Sequence, residues 1–332
     1  MIKISNIELG DFPLLLAPME DVSDPPFREL CKQRGADLMY TEFISSEGLI
    51  RHAHKSVQKL DIFNYERPIG IQIFGGNIDS MKRATEIVEA SDPDLIDINY
   101  GCPVKKVVCK DAGAGILKDI PRMVQMTSEI VKSTHLPVTI KTRLGWDEHS
   151  KHIVEVAERL QDVGIRAISI HGRTRKQMYK GEADWTLIGE VKNNPRIQIP
   201  VFGNGDVDSP DKALEMKNRY GVDGVMIGRA SIGNPWIFRE IKHFLKTGCY
   251  CGPPTITERV AACRQHLMRS IDWKGERLGI LEMRRHYSNY FRGLPGSKHF
   301  RLLLVTSDAV GEIQEVLGQI ENRYSGLSLK AA

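Results

Sequence analysis

A short apolar segment recurs eight times along this chain, and this recurrence constrains the fold more than any other feature. The eight copies lie at residues 14–19, 37–41, 68–73, 95–98, 137–142, 167–171, 200–204 and 224–227. Stretches between them, such as 24–34, 79–89, 150–163 and 208–220, carry apolar residues three and four positions apart behind Ser or Asp start signals, which predicts amphipathic helices. Strands that alternate with helices form a parallel sheet, because parallel neighbours need a crossover connection.

The number of units selects the architecture. Eight strand–helix units over about 240 residues match a (β/α)8 barrel, which typically takes about 250 residues. A doubly wound open sheet is the main alternative, but the Gly-rich dinucleotide turn of that fold is missing after the first apolar segment, where Ala17 is followed by Pro18, Met19, Glu20 and Asp21. We therefore predict an α/β protein with a TIM barrel.

The end of the chain has a different pattern. A helix is predicted from Asn234 to about Leu245, followed by a break rich in Gly, Pro and Cys at 247–254. From Thr257 onward the periodicity is helical only. We predict two domains, a barrel at residues 1–246 and a small all-helical domain at 255–332.

Charge is unevenly distributed between these two parts. The whole chain carries +4, but residues 259–301 contain ten Lys or Arg against Asp272, Glu276 and Glu282, a local net charge of +7. Such a block is typical of a surface that faces a polyanion, RNA before membrane. The alternative is a solvated helical face whose counter-charges lie elsewhere in the fold.

Cysteine usage and hydropathy restrict the compartment. The six cysteines have irregular spacing without a CxxC pair, and the N-terminus lacks a signal peptide, so we expect a cytoplasmic protein with reduced thiols and no metal site. No apolar run approaches the roughly 20 residues needed to span a bilayer. Nothing implies a stable protein partner, and a monomer is the default expectation.

In a barrel of this type, polar residues at the carboxyl ends of strands are the candidates for chemistry. The seventh strand is followed by Asn204, Gly205 and Asp206, and the eighth by Gly228 and Arg229. The glycines let backbone N–H groups approach an anion, and the arginine adds charge, so this pair of turns predicts a phosphate cradle. Two ordinary glycine-rich turns are the alternative.

Lys141 closes the fifth strand, whose other residues are apolar or β-branched. It could act as a Schiff-base nucleophile, as a cation beside a cofactor, or as an ordinary edge lysine. A reduced flavin needs a positive charge near its ring, and Gln72 and His171 on the same rim could complete such a site. His171 by itself is more typical of a structural histidine.

Cys102 follows Gly101 and precedes Pro103, so it lies on a constrained turn. A thiol, with an ordinary pKa of about 8.5, can donate a proton near neutral pH, which a serine hydroxyl cannot. Cys102 is therefore a candidate general acid, and a buried spectator thiol is the alternative.

These motifs together resemble one family, the tRNA-dihydrouridine synthases, and within it the bacterial B-type branch. The matching stretches are APM at 17–19, DPPFR at 24–28, QIFG at 72–75, DINYGCP at 97–103, KKV at 105–107, KTR at 141–143, HGRT at 171–174, GNGD at 203–206, IGRA at 227–230, MRRHY at 283–287 and GLPG at 293–296. They cover nearly the whole chain. The sequence departs from the family pattern at Glu20 and Asp21, where small residues are usual, and at Cys109.

The resemblance implies an FMN-dependent enzyme that uses NADPH to reduce a uridine in the D-loop of tRNA to 5,6-dihydrouridine. In this family, hydride would reach C6 of uracil from N5 of the flavin, and Cys102 would donate the proton to C5. Asn99 and Arg143 or Arg173 would hold the uracil carbonyls and imide edge. The implied FMN-binding residues are Pro18, Met19, Glu20, Gln72, Lys141, His171, Asn204, Gly205, Asp206, Gly228 and Arg229.

Two other classes of function stay open on the residues. A barrel flavoenzyme that acts on a free small molecule would share the phosphate cradle but would not need the basic segment 259–301. An RNA-binding protein without a cofactor would keep that segment but would not need Gln72, Lys141, His171 and Arg229 together.

Overall fold

The N-terminus forms a hairpin that the sequence patterns above did not predict. In a computed structural model that describes residues 1–325, β1 (Ile2–Ile4) and β2 (Ile7–Gly10) pair antiparallel. Ile4 and Leu9 are buried among inward-facing barrel residues such as Leu15 and Phe202. The hairpin therefore contributes to the core inside the barrel.

The eight predicted strands are all present and form the predicted parallel barrel. They are β3 (Leu14–Leu16), β4 (Met39–Tyr40), β6 (Ile69–Phe74), β7 (Leu95–Asn99), β8 (Val138–Arg143), β9 (Ala167–His171), β10 (Val201–Asn204) and β11 (Gly224–Ile227), and a short β5 (Ile44–Ser45) extends the pairing with β6. The hydrogen-bonded order is β3-β11-β10-β9-β8-β7-β6-β4. A parallel bridge between Leu15 and Leu38 joins the first and last members, so the barrel is nearly closed.

Helices follow the strands around the outside of the barrel. They are α1 (Pro25–Gln33), α2 (Ser46–Ile50), α3 (His54–Gln58), α4 (Ile78–Glu89), α5 (Lys105–Val108), α6 (Ile120–Lys132), α7 (Ile153–Asp162), α8 (Thr186–Asn193), α9 (Pro210–Tyr220) and α10 (Ile237–Thr247), with 3-10 turns at Asn64–Glu66, Gly113–Lys118 and Arg229–Ser231. Local signals set the ends of these helices. Asp24 accepts the Phe27 N–H at 3.0 Å to begin α1, and Gly221 ends α9 in the left-handed conformation at φ 68°.

The C-terminal region is helical, as predicted. It contains α11 (Ile256–Lys274), α12 (Glu276–Tyr290), α13 (Lys298–Thr306) and α14 (Val310–Tyr324). Its apolar core also includes Leu30 and Trp236 from the barrel region. The division into two domains stays a prediction, and residues 326–332 of the predicted second domain lie outside the described residues.

Polar contacts join this helical tail to the loop between β3 and α1. The Lys274 ammonium, almost completely buried, pairs with Asp24 at 2.5 Å and also with Glu282. The Arg285 guanidinium donates to the Asp21 carbonyl at 2.6 Å. The tail is therefore fixed beside the carboxyl end of β3, where the barrel opens.

Two further expectations concern thiols and membranes. All six cysteines are free in the structure. Among the described helices, none has both the length and the apolar character that crossing a membrane requires.

Candidate active site

A cavity of about 670 Å³ lies at the carboxyl ends of the strands. This volume falls within the range of about 300–1,000 Å³ that is usual for cofactor and ligand pockets. Thirteen of the residues predicted from the sequence line it: Pro18, Met19, Glu20, Asn99, Cys102, Lys141, Arg143, His171, Asn204, Gly205, Asp206, Gly228 and Arg229. The fold thus brings together residues from six strand ends, as parallel strands in a barrel require.

The Cys102 turn is held by an asparagine side chain. Asn99 Oδ1 accepts the backbone N–H groups of Gly101 at 2.9 Å and Cys102 at 2.8 Å. Cys102 is 7% exposed and packs with Val107 and Ala112. Burial raises the pKa of the Cys102 thiol, so the thiol keeps its proton at neutral pH and is able to donate it.

Gln72 lies below the cavity wall, within a buried polar network. Its Nε2 donates to Asp97 Oδ2 at 2.5 Å, and its Oε1 accepts from Asn99 Nδ2 at 2.8 Å. Thr139 Oγ1 also donates to Asp97, at 2.6 Å, and burial raises the pKa of Asp97 to about 6. Gln72 therefore orients Asn99. The contact of Gln72 with FMN stays a prediction.

Two buried cations, Lys141 and Arg143, give the cavity a positive potential. Burial lowers the pKa of Lys141 to about 8 and that of Arg143 to about 10. Burial, with Arg143 and Lys141 nearby, also holds the pKa of His171 well below its usual range, so its imidazole is neutral. Within the described residues, no carboxylate forms a salt bridge with Lys141 or Arg143. An anionic ligand would supply the missing counter-charge.

The predicted phosphate cradle has backbone donors available. The N–H groups of Gly205 and Gly228 make no hydrogen bond to any other described residue. A side chain at position 205 would be excluded, because φ is +125° and a Cβ there would lie 2.7 Å from that of Ala183. Two free backbone N–H groups that line the same cavity suit a phosphate, so the site fits a phosphate-bearing cofactor.

Asp206 acts on its arginine neighbours. Its carboxylate accepts from Arg173 Nη2 at 2.6 Å, from the Ala183 N–H at 2.8 Å and from Arg229 Nη2 at 3.0 Å. Burial acts to raise the pKa of Asp206, but these hydrogen bonds and charges outweigh it and the pKa is lowered. Asp206 is therefore a charged carboxylate, and it orients Arg229 at the edge of the cradle.

Arg143 and Arg173 both hold the loop after β9. Arg143 donates to the carbonyls of Thr174 at 3.1 Å and Met178 at 2.9 Å, and Arg173 donates to those of Lys180 and Gly181. All three guanidinium nitrogens of Arg173 have partners, and Arg173 does not line the cavity. Arg143 keeps Nη2 without a partner among the described residues. Every guanidinium nitrogen of Arg173 already has at least one partner, and the contact between Arg173 and substrate stays a prediction.

Glu20 also has its charge engaged. Its carboxylate pairs with Lys59 at 2.6 Å, and the neighbouring Asp21 N–H donates to Glu42 at 2.6 Å. One oxygen of the Glu20 carboxylate is thus engaged by Lys59, and the predicted contact of Glu20 with FMN stays a prediction.

Three aromatic or cationic side chains line the cavity without having been predicted from the sequence. Tyr179 is 53% exposed and lies between the guanidinium groups of Arg143 and Arg229, 5.7 and 5.2 Å from its ring centre. Phe43 lines another wall, and Arg292 reaches the cavity from the tail. Tyr179 had a signal in the sequence, because it is an aromatic residue in the polar loop after β9. No local sequence pattern indicates that Arg292 lines the cavity.

Comparisons with known proteins agree with the motifs. The model of the family described as dihydrouridine synthase matches residues 15–323. A tRNA-dihydrouridine synthase B of Pseudomonas aeruginosa is 36% identical over 98% of this chain and 100% of its own length. One from Pseudomonas syringae is 39% identical over 90% of both chains, and a probable tRNA-dihydrouridine synthase of Rickettsia conorii is 37% identical over 91% of this chain and 90% of its own.

A solved structure supports the fold alone. Histamine dehydrogenase from Rhizobium superposes with a TM-score of 0.51 at 13% identity, covering 79% of this chain. This chain spans 50% of the length of that protein.

Proposed function

Because this chain belongs to the dihydrouridine synthase family, we propose that it reduces a uridine in the D-loop of tRNA to 5,6-dihydrouridine, with FMN as cofactor and NADPH as reductant. The single observation that carries the proposal is geometric: the Cys102 thiol lines the same cavity as Lys141 and as Gly205 and Gly228, whose N–H groups are free. Reduction of a conjugated double bond needs a hydride source on one side and a proton donor on the other, and this cavity has room for both.

The residues present fit FMN. The free N–H groups of Gly205 and Gly228, with Arg229, would bind its phosphate, and Lys141 would lie beside the ring system. When bound, FMN supplies the hydride that adds to C6 of uracil, after reduction by NADPH. Lys141 stabilises negative charge, since a bound anion favours its protonated form.

Cys102 completes the reduction. Addition at C6 leaves negative charge on C5 and O4 of uracil, and the Sγ–H bond of Cys102 breaks as a C5–H bond forms. The resulting thiolate is stabilised by Arg143 and Lys141, both of which act to lower the pKa of Cys102. The thiol then regains a proton from solvent.

Arg143 is the cavity residue that would bind the base. Arg143 Nη2 is free to donate to a uracil carbonyl, and Asn99 keeps the Cys102 turn in place. A uridine within a stacked RNA would not reach this cavity, so the target nucleotide has to leave its stack. The predicted cytoplasmic location gives access to tRNA and NADPH.

Purified protein, unmodified tRNA and NADPH test the proposal directly. We expect visible flavin absorption and a dihydrouridine nucleoside in digests analysed by mass spectrometry. In a strain that lacks this protein, dihydrouridine should be missing at one D-loop position. Turnover of free dihydroorotate or uracil without turnover of tRNA would instead support the small-molecule flavoenzyme.

A further inference from the structure

Half of the cations of the basic segment 259–301 form ion pairs with carboxylates of the protein itself. Five of the ten have a carboxylate within 4.0 Å: Arg264 with Glu321, Arg269 with Glu29, Lys274 with Asp24 and Glu282, Arg284 with Asp308, and Arg285 with Asp21. An RNA phosphate that recruits a paired cation has to compete with its carboxylate. The local charge of +7 therefore overstates what this segment offers to a polyanion.

A second group of cations, three on the segment after Cys102 and one on the tail, has no such partner. Lys105, Lys106 and Lys110 are exposed on and just after α5, which begins three residues beyond Cys102. Arg292 is exposed and lines the same cavity from the tail side. Among the described residues, no carboxylate lies within salt-bridge distance of these four side chains, which we name the mouth cations.

Their position matches the demands of an extruded nucleotide. Val104, which precedes Lys105, and Arg292 both line the cavity that contains Cys102, one from the barrel side and one from the tail side. Lys105 therefore lies next to the cavity lining, and Lys106 and Lys110, also exposed, follow it on the same segment. A base that enters the cavity brings the phosphates on either side of it to the cavity entrance. Unpaired lysine and arginine side chains bind RNA phosphates with release of counterions.

On the basis of the proposed function, we propose that the mouth cations bind the RNA phosphates that flank the target uridine. The barrel loop after β7 is then part of the RNA-binding surface, with Arg292 as its counterpart on the tail. The paired cations of the tail contribute less, because their charge is already balanced.

Salt-dependent binding of tRNA tests this proposal. Three proteins are compared with the wild type by fluorescence anisotropy at several KCl concentrations: K105A/K106A/K110A, R292A, and a matched control R83A/R166A/K246A. The control removes the same charge from exposed cations that are also unpaired, and two of them, Arg166 and Lys246, lie at the opposite end of the barrel strands.

We expect the plot of log Kd against log salt to become shallower by about 2–3 in the lysine triple variant and by about 1 in R292A. The lysine triple variant should bind at least about ten-fold more weakly at moderate salt. The control should keep the wild-type slope. The single variants K105A and K110A, each expected to lose about 1 in slope, maintain the test if the triple variant does not fold.

Two results overturn the proposal. The first is a lysine triple variant with the same salt slope as the control triple. The second is an unchanged slope with a raised KM for NADPH in flavin reduction without tRNA, which would assign the lysines to the phosphates of the nucleotide reductant. A wild-type protein that forms no dihydrouridine refutes the proposed function instead, so the two failures are distinguishable.

Discussion

Replacing Cys102 by alanine separates chemistry from folding. The substitution removes one sulfur atom from a side chain that is 7% exposed and packs with Val107 and Ala112, close to Phe43 and Phe74. Loss of one buried atom of this size costs about 1 kcal/mol of unfolding free energy. A domain has about 5–15 kcal/mol available, so we expect the variant to fold and to bind FMN.

The effect on the reaction should be much larger. A positioned general acid contributes about 10²–10⁴-fold to a proton-transfer step, which corresponds to about 2.7–5.5 kcal/mol in the barrier. Asn99 holds the turn through the backbone N–H groups of Gly101 and Cys102, and these groups are unchanged in the alanine variant. The other cavity residues therefore keep their positions. We therefore expect dihydrouridine formation to slow by about 10²–10⁴-fold while flavin reduction by NADPH is unchanged.

A single-turnover experiment measures both steps. Protein is reduced anaerobically with NADPH, mixed with tRNA and quenched at intervals, and dihydrouridine is quantified by mass spectrometry. The loss of visible flavin absorption reports the NADPH step separately. Cys109→Ala is the matched control, since Cys109 is an exposed cysteine seven positions along the same loop.

A Cys102→Ala enzyme that forms dihydrouridine at the wild-type rate would refute the proton-donor assignment. Equal losses in Cys102→Ala and Cys109→Ala would also refute it, because they would show that the loop and not the thiol is required.

Three further predictions concern stability and pH. Asn99→Ala leaves the N–H groups of Gly101 and Cys102 without their acceptor, and should lower the unfolding free energy by about 2–4 kcal/mol in denaturant titrations; a loss below about 0.5 kcal/mol contradicts the positioning role. Glu66→Ala leaves the buried guanidinium of Arg28 unpaired and should cost about 3–5 kcal/mol, most of which the double variant Arg28→Met/Glu66→Leu should restore. Lys141 in the free protein has a pKa lowered to about 8, so FMN affinity should fall as the pH rises above about 8 and the amine becomes neutral; fluorescence titration of Lys141→Met should show no such fall.

Local patterns were sufficient for most of the fold. The eight apolar segments predicted eight strands because strands buried in a parallel barrel read as continuous apolar runs. The N-terminal hairpin had a signal too, since Ile2, Ile4, Ile7 and Leu9 flank a turn at Ser5 and Asn6, but its strands are short and lie before the first repeat. Strand ends predicted the cavity residues, because all parallel strands present their carboxyl ends to one side.

The partners of each polar group required the tertiary structure. Nothing near Gln72 in sequence indicates that its amide would bind Asp97 and Asn99 on a neighbouring strand, and nothing near Arg173 indicates that its donors would be used by the loop after β9 and by Asp206. The contacts of Gln72 with Asp97 and Asn99 and of Arg173 with Asp206 join residues 25–33 positions apart. For Gln72 and Asp97, which lie opposite each other on β6 and β7, the register of the sheet decides the contact.

The distribution of charge shows most clearly which properties follow from the sequence alone and which depend on the tertiary structure. The amino-acid sequence by itself determined a barrel, a helical tail and a basic segment at 259–301, because composition and periodicity are local properties. Only the tertiary structure decided that Arg285 and Lys274 are paired with Asp21 and Asp24, some 250 positions earlier in the chain, and that Arg292 stands free at the cavity. Electrostatic energy depends on distance in space, so a count of charges along the chain does not reveal which of them are left to bind RNA.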